Sequence, residues 1–288
     1  MLSDHAEVPG VYVSIQWNGA PCACRCGHCF LRAGEWKPTR VPYQRARSIA
    51  NRFAAWAQDA ASSGVFAVEL GVGASYDLPS DILCDFLRFH RERPTPLDMP
   101  ILVNGLRFRT RAELTDFLLP LQRDGLKTVF LTFHGFRQSH DEFAGRQGDF
   151  DYLLMMAEVA AELGLRGDRA ILIRKPTLHQ LPRLLAALSA INGPAENYPD
   201  IYDYLGRAIV REDERPEGDD LQLVPAELRE AINMARFRTE GEWVAAVVSG
   251  DVPPKSKMLY CLNVDEASVD SLESEPCEDI LERLLQLD

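Results

Sequence analysis

Long apolar runs and an excess of positive charge are both missing from this 288-residue sequence. A membrane-spanning helix needs about 20 predominantly apolar residues, and every apolar stretch here is interrupted earlier by a charged residue or a glycine. The first segment, MLSDHAEVPG, contains neither the basic part nor the apolar part of a secretion signal. We therefore expect a cytoplasmic protein that has no membrane partner.

Basic side chains are in the minority, with 31 Lys and Arg residues against 43 Asp and Glu residues and a net charge of −12. A protein with this charge repels a phosphate backbone, so nucleic acid is not an expected partner. The single basic run, residues 106–111, is interpreted as the solvated start of a helix. Because 46% of the residues are hydrophobic, the chain can bury a full-sized core.

Apolar runs typical of buried strands alternate with segments of helical periodicity over the first 192 residues. Strands are predicted at 11–15, 66–71, 100–105, 128–135 and 170–177. Helices are predicted at 43–62, 80–91, 110–123, 149–163 and 179–191. Five successive strand–helix units predict parallel strands that are joined by right-handed crossovers.

The alternation of strands and helices ends after residue 192, where a turn-rich segment and then a charged segment follow. Further along, the pattern predicts helices near 225–238 and 276–287, a short mixed element at 242–249 and a strand at 257–264. We therefore divide the chain into a core, residues 1–210, and a C-terminal extension, residues 211–288, that packs on the core.

Four of the seven cysteines lie within eight positions, in the stretch APCACRCGHCFL at residues 20–31. A cytoplasmic location argues against disulfides, so this cluster is predicted to bind metal. All four thiolates could bind one tetrahedral zinc ion, although their spacing differs from the two separated C-x2-C pairs of most zinc sites. Alternatively, Cys22, Cys26 and Cys29 could hold three irons of a [4Fe–4S] cluster and leave the fourth iron open. Cys24 is then a bystander.

The C-x3-C-x2-C spacing, in the loop after the first strand of a strand–helix repeat, resembles the radical S-adenosylmethionine (radical SAM) superfamily. His28 stands before the third cysteine, where that family usually has an aromatic residue. Three later segments are also similar to the family: FAVELGVGAS (66–75), PILVNGL (100–106) and LTFHGFRQSHDEFAGRQGDF (131–150). They match its Gly-Gly-Glu segment, its third strand and its fourth strand, so the resemblance covers about residues 11–192.

The resemblance implies a partial (β/α)6 TIM-like barrel that is open on one side and carries a small C-terminal extension. It implies that Cys22, Cys26 and Cys29 bind one [4Fe–4S] cluster and that S-adenosylmethionine binds the open iron. An electron donor such as flavodoxin or ferredoxin would supply the electron that cleaves S-adenosylmethionine. The resulting 5′-deoxyadenosyl radical would then take a hydrogen atom from the substrate.

The same resemblance places Gly71, Gly73, Asn104, His134 and Arg146 at the cofactor. The segment that contains Gly71 and Gly73 lacks the family's acid, and His134 replaces the family's usual aspartate. Three of these residues also have a structural interpretation. Asn104 could form a turn before a glycine, His134 could be a core histidine, and Arg146 could be a surface residue at a helix start. No catalytic residue is assigned.

Several other residues are predicted to be structural. His140 and Asp141 are expected to cap the loop that follows them, and Cys84 is expected in the core. Cys261 and Cys277 are too few for the auxiliary-cluster (SPASM) domain of peptide-modifying radical SAM enzymes. We therefore expect no auxiliary cluster.

The segment 131–150 is most similar to the branch of the family that modifies peptides and natural products. We therefore expect a ribosomal peptide or a small-molecule secondary metabolite as the substrate. Tyr202, Tyr204 and Arg207 either contact it or pack as an amphipathic face. An activase of glycyl-radical enzymes is the alternative enzyme, and a zinc-binding adaptor is the alternative that is not an enzyme.

Overall fold

The structure of the chain is a computed structural model that describes residues 10–29, 33–35, 37–59, 65–93, 96–201, 212–232 and 257–285. The chain divides into two compact units. The first unit comprises Met1–Gly19, Lys37–Gly73 and Ala246–Asp288, and the second comprises Ala20–Trp36 and Ala74–Ala245. The boundary between a core and an extension at residue 210 stays a prediction.

The first unit contains a parallel three-stranded sheet with the strand order β2-β1-β7. Its strands are β1 (Gly10–Gln16), β2 (Val65–Gly71) and β7 (Lys257–Asn263), and its helices are α1 (Tyr43–Asp59), α8 (Val269–Ser274) and α9 (Cys277–Leu285). Strand β7 comes from the predicted extension and lies parallel to β1, with Leu262 opposite Ile15. The C-terminal part of the chain therefore completes this sheet.

The second unit contains a parallel four-stranded sheet with the strand order β3-β4-β5-β6. Its strands are β3 (Ile101–Leu102), β4 (Thr128–Phe133), β5 (Arg166–Ile173) and β6 (Asn197–Ile201). Its helices are α2 (Ser80–Arg91), α3 (Arg111–Arg123), α4 (Gln138–Ala144), α5 (Asp149–Glu162), α6 (Leu181–Ser189) and α7 (Ala226–Arg229).

Side-chain periodicity explains how this second unit is built. In β4, Val129, Leu131 and Phe133 are fully buried, while the residues between them are partly exposed, which is the two-residue period of a strand. In α3, Leu114 and Leu118 are fully buried one turn apart, as expected for the apolar face of an amphipathic helix. The two patterns together place an apolar core within this unit.

The predicted α/β class with parallel strands is confirmed, because every pair of neighbouring strands in the described sheets is parallel. The described strands form two sheets and no closed barrel. None of the described helices is long and apolar enough to span a membrane.

Four elements differ from the sequence prediction. Strand β3 is limited to two residues, and β5 begins at Arg166 instead of residue 170. Helix α4 and strand β6 were not predicted: α4 is short, and the β6 sequence NYPDI contains turn-forming residues. The predicted element at 242–249, the residues beyond 232 of the helix at 225–238, and Tyr202, Tyr204 and Arg207 lie outside the described residues.

Candidate metal centre

The cysteine loop, residues 20–29, lies in the second unit and alternates in exposure. Ala23 and Arg25 are exposed, whereas Cys24 between them is buried and Cys22 and Cys26 on either side are partly buried. When exposure alternates from one residue to the next, every second side chain lies on the same face of the backbone. The loop therefore presents Cys22, Cys24 and Cys26 on one face.

Backbone hydrogen bonds hold this loop in place at three points. The N–H of Ala23 donates to the carbonyl of Gly105 at 2.9 Å, and the N–H of Arg25 donates to the carbonyl of Ala144 at 2.7 Å. Two residues later, the N–H of Gly27 donates to a carbonyl in α4 at 2.8 Å. Since alternate N–H groups are tied to neighbouring elements, the side chains between them have a defined direction.

Gly105 allows the sulfur of Cys22 to lie directly against the backbone. Its φ is +83°, and a Cβ at this position would overlap the sulfur of Cys22. Only glycine combines that backbone conformation with that contact at low cost. The residue before it, Asn104, uses both ends of its side-chain amide on Thr132, because Nδ2 donates to the carbonyl at 2.9 Å and Oδ1 accepts from the N–H at 2.6 Å. Asn104 thereby continues the pairing of β3 with β4 beyond the short strand.

The thiols of the loop interact with one another. Hydrogen bonds with Cys22 and then with Cys26 lower the pKa of the Cys24 thiol. The same hydrogen bonds, together with burial, raise the pKa of both neighbours. Cys29 contributes to the raised pKa of Cys22 and of Cys26 through its charge. The Cys24 thiol therefore interacts with both neighbouring thiols, and Cys29 is close enough to affect them.

Behind Cys24 lies a buried polar network that the sequence analysis did not predict. The Cys24 sulfur contacts Oδ2 of Asp149 at 3.8 Å, and the same oxygen lies 3.1 Å from Nε2 of His140. Oδ1 of Asp149 accepts from Nη1 of Arg146 at 3.1 Å. Asp149 and His140 are fully buried, and burial raises the pKa of Asp149. Since Nδ1 of His140 accepts from the N–H of His134 at 3.0 Å, its Nε2 is the nitrogen that donates to Asp149.

The guanidinium of Arg146 already has several partners within the protein. Besides Asp149, it donates to the carbonyl of Leu106 at 2.6 Å and lies 3.6 Å from the centre of the Phe108 ring. These contacts give Arg146 a structural role next to the cysteine loop. Its predicted contact with the cofactor stays a prediction.

Two imidazoles, His28 within the loop and His134 beside it, each have a ring nitrogen without a hydrogen-bond partner. The ring centres of His28 and His134 are 4.9 Å apart, and His28 stacks on Phe143 at 5.5 Å. Nδ1 of His28 and Nδ1 of His134 are buried and have no hydrogen-bond partner. Burial lowers the pKa of His28 to about 4 and holds that of His134 well below its usual range. Both rings are therefore neutral and able to hydrogen-bond to a bound molecule.

The buried side chain of Arg174 packs next to these rings. The guanidinium of Arg174 lies 3.6 Å from the centre of the Phe143 ring and donates to the carbonyl of His134 at 3.1 Å. Its Nε donates to Glu214 at 2.8 Å. Arg174 follows β5, where polar residues at the carboxyl end of a parallel strand could have drawn attention to it.

Gly71 and Gly73 lie in the first unit. A Cβ on Gly71 would overlap the amide of Gln16, and Gly73 has a φ of +81° with Asn18 against it. A bulkier residue at position 73 would therefore strain the backbone whether or not a cofactor binds there. The predicted cofactor contacts of Gly71, Gly73, Asn104 and His134 stay predictions.

The remaining cysteines are separate from the loop. Cys84 is partly buried in α2, Cys261 is exposed in β7, and Cys277 is buried at the start of α9. Within the described part of the chain, no three His, Cys, Asp or Glu side chains are arranged around a single point as ligands of one metal ion. The assignment of Cys22, Cys26 and Cys29 as cluster ligands stays a prediction.

No family model and no curated protein matches this chain. Among solved structures, it is similar to SuiB from Streptococcus suis, with 16% identity over 93% of this chain and 52% of SuiB and a TM-score of 0.46. It is similar to coproporphyrinogen III oxidase (HemN) from Escherichia coli, a radical SAM enzyme, with 15% identity over 90% of this chain and 65% of HemN and a TM-score of 0.49. It is also similar to the radical S-adenosylmethionine methyltransferase TsrM from Kitasatospora setae, with 14% identity over 97% of this chain and 62% of TsrM and a TM-score of 0.45.

The chain is similar to radical SAM enzymes of known structure. It spans only 52% to 65% of the length of SuiB, HemN and TsrM. With such low identities and TM-scores, the reaction has to be inferred from this chain's own residues.

Proposed function

We propose that this chain is a radical SAM enzyme whose cysteine loop holds one [4Fe–4S] cluster. The observation that carries the proposal is the common face of Cys22, Cys24 and Cys26, with Cys29 close to them. A loop tied at Ala23 and Arg25 to neighbouring elements can present thiolates without refolding. Soft thiolate sulfurs are the ligands that iron–sulfur clusters require.

Within this proposal, Cys22, Cys26 and Cys29 each bind one iron. When bound, the cluster and S-adenosylmethionine supply an electron and a carbon radical that removes a hydrogen atom from the substrate. The unused Nδ1 atoms of His28 and His134 are available to hydrogen-bond to the bound cofactor. The buried side chains of His134, Phe143 and Arg174 leave little solvent-exposed surface on that side of the loop.

Anaerobic purification tests the proposal. We expect a brown protein with about four irons and four sulfides per chain, which releases 5′-deoxyadenosine when S-adenosylmethionine and a strong reductant are added. Cys26→Ala should lose both properties, and Cys84→Ala, which removes a cysteine outside the loop, should keep both. Bound zinc in place of iron would support the adaptor alternative and overturn the proposal. Reconstitution to about eight irons per chain would contradict the single cluster.

The finer proposal concerns the substrate, which we propose is a ribosomal peptide or a small-molecule secondary metabolite. The similarity of residues 131–150 to the peptide- and natural-product-modifying branch supports it. A short peptide encoded beside the gene is the first compound to test. We expect a mass change in the peptide and, with a deuterated peptide, deuterium in the 5′-deoxyadenosine. A glycyl-radical signal that appears in a large partner protein instead would support the activase alternative.

A further inference from the structure

We propose that the exposed side chains of Arg25, Arg107 and Phe108, here called the docking surface, bind an acidic electron-transfer protein that reduces the cluster. This inference rests on the proposed function, because that function needs one electron from outside the protein. The partner loses one electron and the cluster gains it, and no covalent bond forms or breaks.

The first charge of the docking surface comes from the basic run at residues 106–111, in which two of the three arginines have acidic partners. The buried side chain of Arg109 pairs with Asp77, and Arg111 pairs with two carboxylates of α5. Arg107 lies 4.0 Å from Asp77, at the limit of an ion pair, and 73% of its side chain is exposed. Since Asp77 already pairs with Arg109, the charge of Arg107 faces solvent.

The aromatic ring of Phe108 lies next to this charge and is 50% exposed. The guanidinium of Arg146 lies 3.6 Å from the ring centre, and Tyr152 makes an edge contact with the ring at 5.1 Å. These contacts hold the ring in place before any partner binds. Arginine and aromatic side chains are the residues that protein–protein interfaces contain in excess, so Arg107 and Phe108 are typical of an interface.

The segment between α4 and α5 connects these residues to the cysteine loop. A Cβ on Gly148 would lie 3.9 Å from the Phe108 ring, and a Cβ on Gly145 would lie 3.0 Å from the Cβ of Arg25. Arg25 is exposed and, by the alternation of the loop, lies on the side opposite to Cys24. The docking surface is therefore on the outer side of the loop, and a protein bound there is separated from the thiols by the thickness of the loop.

Charge and position together identify the partner. With a net charge of −12, this protein repels an acidic partner over most of its surface, so the two exposed arginines favour one orientation of approach. The proposed radical, by contrast, forms on the side of the loop that carries Cys22, Cys24 and Cys26. A substrate must reach that side, whereas an electron donor can bind the outer side.

Titration calorimetry of the reconstituted protein with flavodoxin, an acidic electron-transfer protein, measures the binding directly. At low salt we expect Arg107→Glu and Arg25→Glu each to weaken binding about tenfold, and added salt to weaken the wild type more than either variant. Phe108→Ala should weaken binding at both salt concentrations. Asp116→Asn should strengthen it, because Asp116 lines a groove with Arg107 and Phe108. Arg123→Glu, the same charge change at the other end of α3, should have no effect.

The source of the electron separates docking from chemistry. With reduced flavodoxin, Arg107→Glu should release 5′-deoxyadenosine more slowly than the wild type. With dithionite, a small reductant that needs no docking surface, the two proteins should have the same rate. Arg107→Gln, which removes the charge without reversing it, repeats both measurements if Arg107→Glu does not take up its full iron.

Unchanged affinity in both Arg107→Glu and Arg25→Glu, or an equal loss in Arg123→Glu, would overturn the inference. A wild-type protein that accepts electrons from dithionite and binds neither flavodoxin nor ferredoxin would also overturn it. If Arg107→Glu slowed turnover equally with both reductants, the surface would bind the substrate instead, which again contradicts the assignment. A wild-type protein that binds no cluster would contradict the proposed function itself, so the two failures are distinguishable.

Discussion

Gly105 shows how a single residue can control the cysteine loop. Its carbonyl accepts from Ala23, its φ is +83°, and its missing side chain leaves room for the sulfur of Cys22. Gly164 has a similar φ of +73° but no atom within 4 Å of the position that a Cβ would occupy. The two glycines therefore share the backbone conformation and differ in the contact.

We expect Gly105→Ala to prevent cluster assembly and Gly164→Ala to leave it intact. Both substitutions should destabilise the fold by about 1–2 kcal/mol, the cost of placing an alanine in the left-handed region. Only Gly105→Ala also displaces Cys22. Iron content after reconstitution, measured beside urea unfolding, tests this. Equal iron content in the two variants would show that the loop does not depend on the contact.

His134 makes the free energy of unfolding depend on pH, because its surroundings shift its pKa. Burial, and then the charges of His140, His28 and Arg174, hold its pKa well below the usual range. In the unfolded chain a histidine takes up a proton below about pH 6.5. Because the folded form does not, the free energy of unfolding is fully maintained above about pH 6.5 and falls as the pH drops below it.

We therefore expect the metal-free protein to lose stability between pH 7 and pH 5.5, and His134→Phe to lose less. The difference between the two proteins can reach about 1.4 kcal/mol for each pH unit below about 6.5. Urea unfolding at several pH values measures it. His179→Gln, at an exposed position, controls for the removal of a histidine. Identical pH dependence in His134→Phe and the wild type would contradict this assignment.

At the scale of elements, the link between α4 and α5 depends on Asp141. Its carboxylate accepts from the N–H groups of Gly148 at 2.6 Å and Phe150 at 2.9 Å, at the start of α5. The expectation that Asp141 caps the following loop is confirmed. Asp149, the first residue of α5, lies between these two N–H donors and contacts Cys24, so this cap also holds the network behind the cysteine loop.

Asp141→Ala should destabilise the fold by about 1–3 kcal/mol, because it leaves the buried N–H of Phe150 and the partly buried N–H of Gly148 without an acceptor. Glu142→Ala, one residue later and exposed, should change stability by less than about 0.5 kcal/mol. Urea unfolding of the two variants gives the comparison. A loss in Asp141→Ala no larger than that in Glu142→Ala would show that α5 does not depend on this cap.

Helices α2 and α3 were predicted more accurately than strand β3. The amphipathic periodicity of α2 and α3 placed their ends at or within one residue of the observed ones. Strand β3 was predicted over 100–105, but only two of its residues pair with β4 in the sheet, and the side chain of Asn104 continues the pairing. Helical periodicity is local, whereas the extent of a strand depends on a partner that is distant in sequence.

At the scale of the whole molecule, cluster binding should raise thermal stability. A group that binds the folded form and not the unfolded form shifts the folding equilibrium toward the folded form. The backbone of the cysteine loop is held by Gly105 and by carbonyls of α4, so a cluster bound by the loop would bind the folded second unit.

We expect the reconstituted protein to unfold at a higher temperature than the metal-free protein, and chelation of the iron to remove the difference. Cys26→Ala should show no gain on reconstitution, whereas Cys84→Ala should show the full gain. Anaerobic thermal unfolding followed by circular dichroism provides the measurement. An equal gain in Cys26→Ala would mean that iron stabilises the protein at some other position.

The sequence by itself determined the parallel α/β class and predicted where a metal would bind, because hydrophobic periodicity and cysteine spacing are local properties. It also contained the i, i+2, i+4 spacing of Cys22, Cys24 and Cys26, which is the period of an extended segment and agrees with the common face of these residues. Only the tertiary structure brought Asp149, His140 and Arg146 behind Cys24 and turned His28 and His134 toward one another. These contacts join residues up to 125 positions apart, and no local pattern specifies which distant side chain will face a given one.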